Sequence, residues 1–250
     1  MTLILNAVQC VYEGAPAVRG VSLTLANGEV LCLLGRNGAG KTTTLNAITG
    51  LLKPVSGSIR LDGEELTVLP PDAIARRGVG YVPQGRRLFP HLTVAENLTM
   101  GQLAGRRGHT GPRGAGPSGT EADPEETLQW VLALFPALTD RLRQRAGTLS
   151  GGEQQMAATA RALCMNPRIL LMDEPTEGLM PTMVRQLLET TRLLKDRQVS
   201  VLLVEQKLEA ALQVADRVAF MEDGVIVHEG TPDVLAASPE VFERYLGVPR

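Results

Sequence analysis

The segment Gly35-Arg36-Asn37-Gly38-Ala39-Gly40-Lys41-Thr42 constrains this chain more than any other. It fits GxxxxGK[ST] and follows the apolar run Val30–Leu34. Glycines let the backbone curl until successive N–H groups point at one phosphate, and the start of the following helix adds positive potential there. The pattern assigns the tasks. Gly35, Arg36, Asn37, Gly38, Ala39 and Gly40 form the cradle, Lys41 reaches the β- and γ-phosphates, Thr42 offers its hydroxyl to Mg²⁺, and Thr43 stands beside it in the first helical turn. An ordinary glycine-rich turn is the alternative. A chance match in a chain of this length is roughly a per cent-level event on usual glycine content, and the strand before and helix after are the context the motif requires.

A phosphate loop of this kind belongs to an α/β fold, and the rest of the chain agrees. Val30–Leu34, Ile169–Met172 and Val199–Val204 are continuously apolar, as strands covered on both faces must be. They alternate with helix-like segments, which predicts a largely parallel sheet. Leu3–Val8, Val18–Leu25 and Arg217–Val227 read instead as hairpin strands, the last carrying the turn Glu222-Asp223-Gly224. An antiparallel patch is therefore expected beside the parallel core. Asp123-Pro124-Glu125-Glu126, Thr231-Pro232-Asp233 and Ser238-Pro239-Glu240 each combine a cap with a proline and read as helix starts. Gly105–Asp123, rich in glycine, proline and polar residues, reads as a flexible loop within a helical region, with its arginines and His109 in solvent.

Two further segments carry chemistry. Ile169-Leu170-Leu171-Met172-Asp173-Glu174 is a buried strand that delivers two carboxylates to the sheet edge where ligands of open α/β folds bind. Asp173 is suited to holding Mg²⁺ through water and Glu174 to polarising an attacking water. In Leu149-Ser150-Gly151-Gly152-Glu153, Ser150 and Glu153 have capping-box spacing, and the bare glycines Gly151 and Gly152 make the same helix start an anion site. Both readings hold together.

With these three motifs in this order, the chain resembles the ATP-binding cassette (ABC) ATPases over essentially its whole length apart from Gly105–Asp123. The resemblance implies one P-loop cassette over residues 1–250: an α/β fold with a mainly parallel core sheet, an antiparallel β patch and a helical subdomain at roughly 85–165. Tyr12 would stack on adenine, and Gln84 in Tyr81-Val82-Pro83-Gln84-Gly85 would sense Mg²⁺ and the γ-phosphate. Two positions depart from the usual pattern. Met180 stands where many members carry aspartate, and Gln206 where a switch histidine is usual. Glutamine can donate a hydrogen bond to a γ-phosphate but cannot become cationic near neutral pH. The strings GVGYVPQGRRLFPHLTVAENL, DEPTEGL and LLVEQ resemble the ATPase subunits of branched-chain amino-acid importers and of urea and short-chain amide importers.

That resemblance implies a subunit that hydrolyses ATP with Mg²⁺ and powers an importer. It implies permease subunits in the membrane, an extracytoplasmic solute-binding protein, and a head-to-tail dimer with a second copy or a paralogue. Each ATP would sit between the phosphate loop of one subunit and Ser150–Gly152 of the other, at the cytoplasmic face of the membrane. Composition is compatible: no apolar run approaches the roughly 20 residues that span a bilayer, and no signal peptide is visible. The net charge of −2 gives no electrostatic case for nucleic acid. Cys10, Cys32 and Cys164 lack paired spacing, which speaks against a disulfide scaffold or a zinc site and for a reducing compartment. Two alternatives stay open. One is a nucleotide-gated clamp with weak hydrolysis, supported by Met180 and Gln206 and opposed by the intact Glu174. The other is a soluble ABC ATPase without transport, which usually carries two cassettes or a long coiled coil.

Overall fold

The computed structural model describes residues 2–106 and 123–237. Strands β1 (Leu3–Tyr12) and β2 (Ala15–Leu25) form a hairpin, and β3 (Val30–Leu34) leads into helix α1 (Lys41–Ile48) through the phosphate loop. Strands β4 (Ser56–Leu61) and β5 (Glu64–Glu65), helix α2 (Pro71–Arg76) and strand β6 (Val79–Val82) follow. The chain is then helical: α3 (Val94–Arg106), α4 (Pro124–Leu134), two 3-10 turns, and α5 (Gly151–Leu163). It returns to the sheet through β7 (Ile169–Asp173), α6 (Pro181–Asp196), β8 (Ser200–Glu205), α7 (Leu208–Val214), β9 (Arg217–Glu222), β10 (Val225–Gly230) and α8 (Pro232–Ala236).

The strands make two sheets, β2-β1-β4-β5, antiparallel throughout, and β10-β9-β3-β8-β7-β6. In the second, β9, β3, β8, β7 and β6 are parallel and only β10 runs against its neighbour. The hairpin expected at Arg217–Val227 is present, but it belongs to the edge of the parallel sheet. Its register follows from β9, which pairs in parallel with β3 while β10 folds back on it.

Why the parallel strands read as unbroken apolar runs is visible in their packing. Val30, Cys32 and Leu34 face one core with Leu170, Met172, Val201 and Leu203, beneath the helices. Leu31 and Leu33 face a second core with Ile169, Leu171, Leu202, Val204 and the antiparallel sheet. Each alternate residue thus enters a different core, so no position is left for a polar side chain.

The flexible reading of Gly105–Asp123 is corrected at its start and agrees at its end with the expected cap at Asp123, while residues 107–122, His109 included, lie outside the described residues. Gly105 is helical, within α3, and the packing there has room only for glycine, since a Cβ would stand 2.6 Å from the Met165 carbonyl oxygen. Asp123 caps α4, accepting from the Glu125 N–H at 3.0 Å, with Pro124 in the first turn. Thr231 precedes α8 as expected, and Ser238-Pro239-Glu240 also lies outside the described residues.

Candidate functional site

The C-terminal ends of β3, β7 and β8 are adjacent in the parallel sheet, so the phosphate loop, Asp173 with Glu174, and Gln206 emerge side by side. A cleft of about 320 Å³ is lined by Tyr12, Asn37, Gly38, Lys41, Gln84 and Glu174 among others. An adjoining one is lined by Gly35, Arg36, Asn37 and Gln206. Tyr12, half exposed at the end of β1, lines the first of these clefts.

The loop is held from outside by the far end of the chain. Gly224, in the β9–β10 turn, donates its N–H to the Ala39 carbonyl at 2.9 Å, and its own carbonyl accepts from the Arg19 N–H at 2.8 Å. Gly40 has φ +104, and a Cβ there would lie 2.4 Å from the Ala17 carbonyl oxygen. Only glycine fits that position, for conformation and for space alike.

Lys41 is 4 % exposed and its ammonium donates to the carbonyls of Gly35 at 2.8 Å and Arg36 at 3.1 Å, with Glu174 Oε1 at 3.7 Å. Burial pushes its pKa down, opposed by the charges of Glu174 and Asp173. The Thr42 hydroxyl donates to Asp173 Oδ1 at 3.1 Å. Burial raises the Asp173 pKa, and the Thr42 hydrogen bond works against that. A hydroxyl and a carboxylate oxygen this close suit Mg²⁺, which takes hard oxygen ligands and fills the rest of its octahedron with water and phosphate. Glu174, at φ +47, is fixed through its N–H to the Val204 carbonyl at 2.9 Å, which ties the end of β7 to β8.

Gln206 donates to Glu174 Oε2 at 2.6 Å. Expected as a donor to phosphate, the amide here grips the carboxylate beside it. Gln84 donates to Glu177 Oε2 at 2.9 Å and more weakly to Glu174 Oε2 at 3.4 Å. Ser150–Gly152 do not line either cleft. They form the start of α5, where Ser150 accepts from the Glu153 N–H and Glu153 accepts from the Ser150 N–H at 2.8 Å, the anticipated capping box. Met180 is 64 % exposed and begins α6 without a side-chain cap.

Three residues around the site escaped the sequence reading. Tyr81 donates to Asp173 Oδ2 at 3.4 Å, from β6 next door. Glu205, fully buried at the end of β8, accepts from the Thr176 N–H at 3.1 Å, and burial raises its pKa. Glu177 holds Gln84. The first two follow from strand adjacency, which single motifs do not reveal. Glu177 was within a motif already quoted and signalled nothing by its type.

A phosphate loop, a buried lysine, and a hydroxyl–carboxylate pair beside a second carboxylate define a P-loop nucleoside triphosphatase. The family model described as ABC transporter matches residues 18–177. The chain is 42 % identical to the high-affinity branched-chain amino acid transport ATP-binding protein BraG of Pseudomonas aeruginosa, over 98 % of this chain and 99 % of that one. Its fold matches the ADP conformation of MJ1267, an ATP-binding cassette of an ABC transporter, with a TM-score of 0.82 at 26 % identity, covering 99 % and 100 % of the two chains. It also matches the dimeric structure of MJ0796, a bacterial ABC transporter cassette, with a TM-score of 0.77 at 26 % identity, covering 92 % and 98 %. The chain belongs to the ABC transporter family and is one of its ATP-binding cassettes, an ATPase. Among the described residues no helix is long and apolar enough to cross a membrane.

Proposed function

We propose that the chain is the ATP-hydrolysing subunit of an ABC importer whose cargo is a branched-chain amino acid. The observation that carries hydrolysis is the contact of Lys41 and Gln206 with the same Glu174 carboxylate, where the two adjoining clefts meet, with that carboxylate oriented by the Gln206 amide. Glu174 is placed to take a proton from water, and Gln206 keeps its carboxylate aimed. Lys41 and the loop N–H groups would bind the phosphates, and Tyr12 the adenine. Thr42 and Asp173, with Gln84 on rearrangement, would hold Mg²⁺, which supplies charge neutralisation at the phosphates.

The similarity to BraG along both chains supports the amino-acid cargo over urea or short-chain amides. On this reading the subunit works at the cytoplasmic face, bound to two permease subunits that receive cargo from an extracytoplasmic binding protein. It pairs head to tail with a second cassette, identical or paralogous, so that Ser150–Gly152 closes the partner's nucleotide site. Closure then is both the condition of hydrolysis and the mechanical output. The test is reconstitution with the permeases that co-purify with the chain. ATP hydrolysis stimulated by binding protein loaded with leucine or valine, and not with urea, is the expected result. Stimulation by urea alone would replace the cargo, and full hydrolysis in Glu174→Gln would remove the catalytic assignment.

A further inference from the structure

Immediately after Gln84 the backbone does something costly. Gly85, Arg86 and Arg87 have φ of +78, +67 and +43, three successive left-handed residues of which two carry long side chains. The turn is closed by the Arg86 N–H on the Pro83 carbonyl at 3.3 Å and the Arg87 N–H on the Gly85 carbonyl at 2.7 Å. L-residues resist this conformation, and it persists only where surrounding contacts over-determine it.

The contact that does so is made by Arg86. The forked end of its guanidinium closes on Gly151: a Cβ added there would stand 3.0 Å from one terminal nitrogen, 3.1 Å from the other and 3.3 Å from the central carbon. The same group donates to Gln154 Oε1 at 3.5 Å. Gln154 in turn gives its amide protons to the carbonyls of Leu149 at 3.2 Å and Ala146 at 3.4 Å, which fixes the segment leading into Ser150. A continuous line of contacts therefore joins Gln84, through Arg86, to the backbone of Ser150–Gly152. This is not a stability device of the ordinary kind. The start of α5 already has its capping box, with Arg141 on Glu153. A cation over a helix N-terminus is electrostatically unfavourable until an anion arrives.

We propose that Arg86 is a positioning residue that couples the Gln84 loop to Ser150–Gly152, holding the half-site offered to a partner's ATP in register with the half-site of its own subunit. The inference rests on the reading of Ser150–Gly152 as the surface that closes a partner's nucleotide site. Arg86 acts through the glycines and is not itself in the phosphate cleft, so it governs closure and not the capture of nucleotide by the single chain. Its removal leaves the downstream end of the loop attached, because the Ala146 and Gly147 N–H groups still donate to the Leu92 and Pro90 carbonyls at 2.9 and 3.0 Å. The variant is therefore expected to fold.

The experiment measures ATP-driven self-association of the full chain by sedimentation in a Glu174→Gln background, with and without Arg86→Ala, alongside ADP affinity of the Arg86→Ala single variant. The expected result is a dimer dissociation constant raised about tenfold by Arg86→Ala with ADP affinity changed by less than about twofold. Arg86→Lys should rescue little, since an ammonium has no fork whose two nitrogens can close on Gly151 and reach Gln154 together. Adding Gln154→Ala to Arg86→Ala should weaken association by less than the two separate effects combined, because both belong to one contact. Association within about twofold of the parent would overturn the proposal, and so would an equal loss of ADP affinity, which marks a general structural role. If the Arg86-intact parent fails to associate on ATP, the cross-subunit reading falls, and this inference with it.

Discussion

The phosphate loop and the Ser150–Gly152 turn are both glycine-bearing helix starts, yet they are in opposite states of completion. The first is enclosed by its own chain: lysine, hydroxyl, two carboxylates and the Gln206 amide converge on it, and the Gly224 turn braces it. The second has a sound cap and no catalytic group near it; over it lie the Arg86 guanidinium at Gly151 and the Met183 side chain at Gly152. A site of the first kind can take up nucleotide alone, and one of the second kind works only when something is brought to it. On the proposed reading, the difference is that between one site and the lid of another.

The largest test of that contrast is at Glu174. Glu174→Gln keeps the shape of the cleft and removes the acceptor of a proton, so turnover should fall by about two to three orders of magnitude while ATP binding persists, measured by single-turnover hydrolysis. Lys41→Ala strikes the enclosed site itself. Losing a buried cation that faces the phosphates should cost about 3 kcal/mol of ATP affinity, readable by calorimetry. The same change should leave the capping box untouched, and if it loosened α5 the two regions would not be separable.

Gln206 sharpens the comparison. With its amide on Glu174, Gln206→Ala should lower kcat about tenfold and leave the KM for ATP nearly unchanged, by steady-state kinetics in the assembled transporter. A selective loss of ATP over ADP affinity would mean that the amide turns to the γ-phosphate instead. Gln206→His should stay active and bring in a pH dependence near about 6.5 that the glutamine cannot have.

The smallest effects lie at the second region. Hydrogen bonds from Ser150, with Arg141 adding its charge, hold the Glu153 pKa below its ordinary 4.5. Since the folded value is the lower one, this contribution is present at neutral pH, begins to fade as pH falls past about 4.5, and is lost once pH passes the folded pKa. Glu153→Gln should flatten that part of the stability–pH curve. Met180→Asp would give α6 the cap it lacks and should add about 1 kcal/mol to the unfolding free energy, measured by denaturant titration of the single chain.

Much of this was legible from residues alone, for identifiable reasons. Val30–Leu34 was readable to the residue because burial on both faces forbids polar positions, and Ser150 with Glu153 because a capping box is a local rule. Strand β6 was not marked, since Val79-Gly80-Tyr81-Val82 is too short to show a period, and with it the Tyr81–Asp173 contact stayed hidden. Gly105 was read as loop because its composition cannot announce that a neighbouring carbonyl needs the space. The partner of Gln206 was illegible for a different reason: a strand end fixes where a side chain starts, and only the neighbouring strand decides what it touches.

The brace on the phosphate loop has a consequence for how the chain is made. Ala39 leaves the ribosome early, while the Gly224 N–H that satisfies its carbonyl and the Met221 backbone that packs on Gly35 are among the later residues synthesised. Until β9 and its turn have been added, the nascent loop has the right residues and the wrong support, and its pairing with the rest must wait on contacts of very long sequence separation. Nucleotide capture by the nascent loop should therefore strengthen once β9 and its turn have been added. A chain stopped before Met221 is expected to hold ATP more weakly than the longer one, because its loop lacks that support.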